Sequence, residues 1–177
     1  MLGLKRGIVE LYPHEANWET NAARTIAELR EVFGANALDI QHVGSTSIRS
    51  ICAKPIIDIA VNARSIDWFC EQKDALIARG MLYRGEDVHN EILFMLGTEE
   101  IRTHNIHICR PDSEEWRNYV RFRDYLNANR EAAKEYEALK LSLAREHSSE
   151  REAYTLGKAA LIARLLTEAK EWEKKAQ

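Results

Sequence analysis

An apolar run interrupted by one carboxylate, Lys54-Pro55-Ile56-Ile57-Asp58-Ile59-Ala60-Val61, constrains this chain more than any other segment. Its length and branched residues specify a strand. Alternation puts Ile57, Ile59 and Val61 on one face and Ile56, Asp58 and Ala60 on the other. A carboxylate is costly to bury unless it is paired, hydrogen-bonded or bound to a cation, so Asp58 marks either a site or a buried polar contact to Lys54 or the backbone. Upstream, Leu38-Asp39-Ile40-Gln41-His42-Val43 reads as a second strand that ends in the small polar turn Gly44-Ser45-Thr46-Ser47. A Gly-Ser pair alone is ordinary turn punctuation, but here Asp58 points within reach of whatever the turn holds.

Further along, Gly97-Thr98-Glu99-Glu100 joins Glu91-Ile92-Leu93-Phe94-Met95-Leu96 to the run from Ile101 to Ile108 as a hairpin. On its second strand Thr103, Asn105 and His107 share one face. Arg102, His104, Ile106 and Ile108 share the other, which argues against both histidines ligating one ion. His107 reads either as a site group or as a satisfied strand histidine, and His104 as structural. Glu91 is the carboxylate best placed to assist Asp58.

The remaining segments are helical. Ile8 to Tyr12 reads as a short strand, and after Pro13 a helix is predicted with Trp18, Ala22, Ile26, Leu29 and Phe33 inside. Ser65 caps a helix to about Arg79 with Ile66, Phe69, Cys70, Leu76 and Ile77 facing the core and Gly80 ending it. Asp112 and Glu115 have capping-box spacing at the head of a helix with Trp116, Tyr119 and Val120 inside. A second helix runs from about Glu131 to Glu146. Beyond Ser148-Ser149-Glu150 a third carries Tyr154, Leu161, Leu165 and Leu166, and its charged end from Lys170 to Lys175 is expected to fray. Tyr136 with Lys140 and Tyr154 with Lys158 each share a helix face. Such pairs either present an ammonium to phosphate and a ring to a base, or lay lysine stems over apolar surface.

The 177 residues suit one domain over 1–177, an α/β (α+β) mixed sheet in about 1–110 with flanking helices and a C-terminal helical segment in about 111–177. A net charge of -3, with no basic block, argues against nucleic acid as a main partner and leaves a small nucleotide or other phosphorylated ligand open. The start of the chain lacks a signal-peptide core and no apolar run spans a bilayer, so a soluble, cytoplasmic protein without membrane contact is expected. Cys52, Cys70 and Cys109 are too widely spaced for a zinc site or disulfide framework.

A strand ending in Gly44-Ser45 followed by a strand bearing Asp58 resembles the nucleotidyltransferase superfold of polymerase beta and its relatives. Gly44-Ser45-Thr46-Ser47, Ala53-Lys54-Pro55-Ile56-Ile57-Asp58, the stretches Arg102 to His107 and Phe122 to Leu126, and Tyr136, Lys140, Tyr154 and Lys158 together resemble the GrpB family over nearly the whole chain. The resemblance implies that Gly44, Ser45, Thr46 and Ser47 grip phosphate, with Arg49, Lys54, Tyr136, Lys140, Tyr154 and Lys158 around it. It further implies that Asp58 binds Mg²⁺, and the hairpin beside it offers Glu91 or His107 as the auxiliary catalytic group. Two departures stand out. Ile48-Arg49-Ser50-Ile51 replaces the family's Val-Pro-Gly-Leu, and Ala60 stands where active nucleotidyltransferases carry a second carboxylate. A nucleotidyltransferase is therefore one reading beside a catalytically inactive nucleotide-binding regulator and a partner-binding module. The last fits the amphipathic C-terminal helices and the family's occasional fusion to a dephospho-coenzyme A kinase domain.

Overall fold

The structure, a computed structural model, describes residues 1–86 and 91–176. The chain runs through β1 (Leu4–Lys5), α1 (Ala16–Phe33), β2 (Ala37–Val43), β3 (Ile57–Ala63), α2 (Ile66–Glu71) and α3 (Lys73–Ala78). It continues through β4 (Leu82–Glu86), β5 (Ile92–Gly97), β6 (Ile101–Cys109), α4 (Glu114–Ala128), α5 (Arg130–Glu146), α6 (Arg151–Gly157) and α7 (Ala159–Ala176). The strands form a six-stranded mixed sheet in the order β2-β3-β6-β5-β4, with β1 pairing the start of β6. β3 and β6 are parallel neighbours, and Asp58 lies opposite Asn105 and Ala60 opposite His107. β2 and β5 flank them antiparallel.

This register separates two faces as alternation requires. Ile57, Ile59 and Val61 of β3 and Ile106 and Ile108 of β6 pack under Leu29 and Phe33 of α1 and Phe69 of α2 in the main core. His104 points to the same side, where its Nε2 lies 3.2 Å from Thr25 Oγ1 of α1. On the opposite face Val43, Ala60 and Cys109 pack under Trp116 of α4. The C-terminal helices form a further cluster in which Ile48 and Ile51 of the loop after β2 meet Leu126, Ala133, Tyr136 and Leu165. That loop is thereby fixed between sheet and helices.

Several local expectations are corrected. Ile8 to Tyr12 is not a strand. Only Tyr12 bridges to Ala53, and the N-terminal strand is Leu4–Lys5. The Ser65 helix breaks at Gln72, which resets its face, so Phe69 and Leu76 are buried while Cys70 and Ile77 are exposed. Leu82–Glu86 forms an edge strand that the sequence reading did not assign. Asp112 does not cap α4. Its backbone is left-handed and its side chain and amide are engaged by Asn62, so Ser113 accepts from Trp116 N instead. Finally, the third C-terminal helix is two helices, and its charged end remains helical as far as Ala176. Lys170 pairs with Glu114, Arg121 with Glu173, and the rings of Tyr125 and Trp172 lie 5.9 Å apart, so α4 anchors the end of α7.

Candidate functional site

The polar face of the β3–β6 pair opens into a cavity of about 530 Å³ closed over by α4, α5, α6 and α7. Gly44, Ser45, Lys54, Asp58, Glu91, His107, Tyr136, Tyr154 and Lys158 line it, as do Asn105, Tyr119, Phe122 and Arg151. The turn expectation divides at Thr46. Thr46 is fully buried with its Oγ1 2.9 Å from His42 Nε2, Ser47 donates to the Gly44 carbonyl at 2.6 Å, and Arg49 pairs with Glu19 at 2.7 Å. Ser47 and Arg49 face a second, separate hollow with Glu19 and Arg123. Lys140 is likewise outside the cavity lining. It is buried behind Tyr136, 4.9 Å from that ring, and donates to the Cys52 carbonyl at 2.5 Å.

Gly44 shows why the turn and Asp58 belong together. Its φ of 70° and ψ of -169° lie in a region essentially confined to glycine. A Cβ there would sit 2.4 Å from Asp58 Oδ2. The absent side chain is what lets the turn close onto the carboxylate.

At the sheet surface the charged groups form a chain. Asp58 Oδ1 accepts from Asn105 Nδ2 at 2.6 Å and faces His107 Nε2 at 3.6 Å. On the other side of the ring, His107 Nδ1 donates to Glu91 Oε1 at 2.8 Å, and Tyr119 donates its hydroxyl to Glu91 at 3.1 Å. Burial by itself would lower the imidazole, but hydrogen bonds to Asp58 and Glu91 and the charges of both carboxylates outweigh it and hold His107 up at about 9. Burial works against the Asp58 charge, yet His107, Asn105 and Lys54 hold its carboxyl below the usual range. The phenol of Tyr119 is pushed up by burial and by Glu91.

Facing this chain are cations of a different kind. Burial, then Lys158 and Arg151, press the Lys54 ammonium down to about 7. Lys158 and Arg151 are also lowered, in each case chiefly by burial. Lys54 and Lys158 approach the same Tyr154 ring, 4.8 and 4.6 Å from its centroid. The break between α6 and α7 after Gly157 puts Lys158 at this point.

The metal implied by the superfold resemblance does not fit this donor set. Asp58 Oδ1 accepts from Asn105 and faces the His107 ring at 3.6 Å, Oδ2 is packed on Gly44, and Glu91 is held by His107 and Tyr119. Ala60 offers no second carboxylate, and among the described residues no group of three or more His, Cys, Asp or Glu side chains is arranged to hold an ion.

Arg151 escaped the sequence reading because it follows a helix break with no motif around it, and Tyr119 because its helical spacing reads as core. Asn105 was legible only as the residue on the His107 face.

A protein-family model described as GrpB protein matches residues 8–168. The chain is 34% identical to the glutamate-rich protein GrpB of Alkalihalophilus pseudofirmus, over 95% of this chain and 99% of that one. It is 33% identical to the UPF0157 protein YqkA of Bacillus subtilis, over 97% of this chain but 52% of the longer relative. The crystal structure of the conserved protein GrpB from Enterococcus faecalis superposes with a TM-score of 0.84 at 29% identity, covering 92% of this chain and 99% of that one.

Proposed function

This chain belongs to the GrpB family, and on that premise we propose that its cavity binds a small phosphorylated molecule, a nucleotide in the first instance. The observation that carries the reading is the Gly44 turn closed against Asp58 in the wall of a cavity that Lys54, Arg151 and Lys158 also line. Ser45 adds a hydroxyl, 3.4 Å from the Tyr136 hydroxyl. Phe122, Ile162 and Leu166 supply an apolar wall for the rest of the ligand, with Tyr136 beside them. A phosphate ester has both parts, a multiply charged end and a body that desolvates well.

A transferase reading rests on Asp58, an ionised carboxylate that keeps 27% of its side chain exposed and is able to accept a proton from an attacking hydroxyl. Ala60 favours binding without turnover. The two readings share the same ligand.

Nucleoside mono-, di- and triphosphates should raise the melting temperature of the wild-type protein, whereas the matching nucleosides should not. A ligand at one hundred times its dissociation constant contributes about 2.7 kcal/mol. A flat response across all four bases and all phosphate lengths in a thermal-shift series would remove this reading.

A further inference from the structure

We infer that Lys54, Arg151 and Lys158 form one anion-binding wall that takes the ligand's phosphates as a metal-free polyanion, the protein supplying the counter-charge. The inference rests on the ligand reading above and adds which groups hold the charge and in what form the ligand arrives. Three cations from separate parts of the chain converge here. Lys54 comes from the loop before β3, Arg151 opens α6 and Lys158 follows it. None of the three has a carboxylate within 4.0 Å among the described residues, although many surface cations of this protein do. Partly buried cations gathered without partners repel one another and are poorly solvated, so the arrangement is costly unless an anion completes it.

Two further observations support a metal-free ligand. Asp58 stands without a second carboxylate at Ala60, and its Oδ1 already accepts from the Asn105 amide and faces the His107 ring. Lys54 is lowered by burial and then by Lys158 and Arg151, and the Asp58 carboxylate offsets this only in part. Phosphates against this wall leave the Phe122, Ile162 and Leu166 side free for the ligand's apolar part. Magnesium complexed to the phosphates would cancel the charge that the wall recognises. Divalent cation should therefore compete with the protein rather than assist it.

The test is calorimetric titration of the intact protein with sodium tripolyphosphate and with ATP, each in EDTA and in excess Mg²⁺. Both ligands should bind in EDTA and bind more weakly in Mg²⁺. Arg151→Gln and Lys158→Gln should each loosen tripolyphosphate about tenfold, the loss of one charge-assisted contact, while Arg151→Lys retains most of the affinity. Unfolding curves of the variants separate a lost contact from a lost fold, and variants that bind weakly only because they unfold count against the wall. ATP that binds only with Mg²⁺ and ignores Arg151→Gln overturns the wall and leaves the ligand reading standing. Tripolyphosphate binding without any nucleotide binding upholds the wall and removes the nucleotide. Silence from both ligands in both buffers brings down the wall together with the reading it rests on.

Discussion

Gly44→Ala should lower the stability of this protein by about 3 kcal/mol and displace Asp58 in the cavity wall. Two independent causes add. The backbone at φ 70° and ψ -169° is disfavoured for any residue with a Cβ, and the new methyl would meet Asp58 Oδ2 at 2.4 Å. The clash can be relieved by moving Asp58, but that carboxylate is held by Asn105 and His107, so relief at one contact breaks others. The two causes are separable. Asp58→Gly in the Gly44→Ala background removes the Asp58 Cβ and carboxyl that the new methyl would meet and leaves the backbone strain, so urea unfolding of the four proteins should show a double mutant more stable than the sum of the single changes requires. Strict additivity would mean that Gly44 and Asp58 are not coupled.

Glu91→Gln should be the most damaging conservative substitution in the site, at about 3–5 kcal/mol near neutral pH. Glu91 is 2% exposed and takes hydrogen bonds from both His107 and Tyr119. Replacing it by an amide keeps an acceptor for His107 Nδ1 but removes one of the two negative charges that hold the buried imidazolium. The sign of the pH dependence follows from His107. Its folded value of about 9 lies above the ordinary imidazole value of 6.5, so the stability it contributes is fully present below about 6.5 and is lost as pH rises through about 9. The gap between wild type and Glu91→Gln should therefore narrow across that window. A gap that stays constant from pH 6 to pH 9.5, measured by denaturant unfolding, would show that His107 is not charged against Glu91.

The face assignment of every strand residue in the site was legible, because a period of two leaves no freedom once Ile57, Ile59 and Val61 must be buried. Asp58, Asn105 and His107 on one side and His104 on the other follow from the same count. Neighbourhood of β3 and β6 was the larger step, and the register of Asp58 with Asn105 bears it out. What sequence could not show is where long side chains end. Lys140 and Lys158 carry the same tyrosine spacing, yet α5 carries Lys140 into the Cys52 carbonyl while the break after Gly157 turns Lys158 into the cavity. Arg49 and Lys54 flank the same loop and part in the same way. One folds back to Glu19 on the surface, and the other is drawn under Tyr154. Helix breaks at Gln72 and Gly157 were invisible because the apolar periodicity continues through both.

The central claim is that the cavity between the Gly44 turn and the C-terminal helices is where a phosphorylated ligand sits, and the most direct measurement is a crystal structure of the protein grown with a nucleoside triphosphate. The expected result is phosphate density within hydrogen-bonding distance of Lys54, Arg151 and Lys158, with the remainder of the ligand against Phe122 and Ile162. Density confined to the separate hollow at Arg49 and Arg123, or an empty cavity at ligand concentrations that saturate binding in solution, would contradict the account.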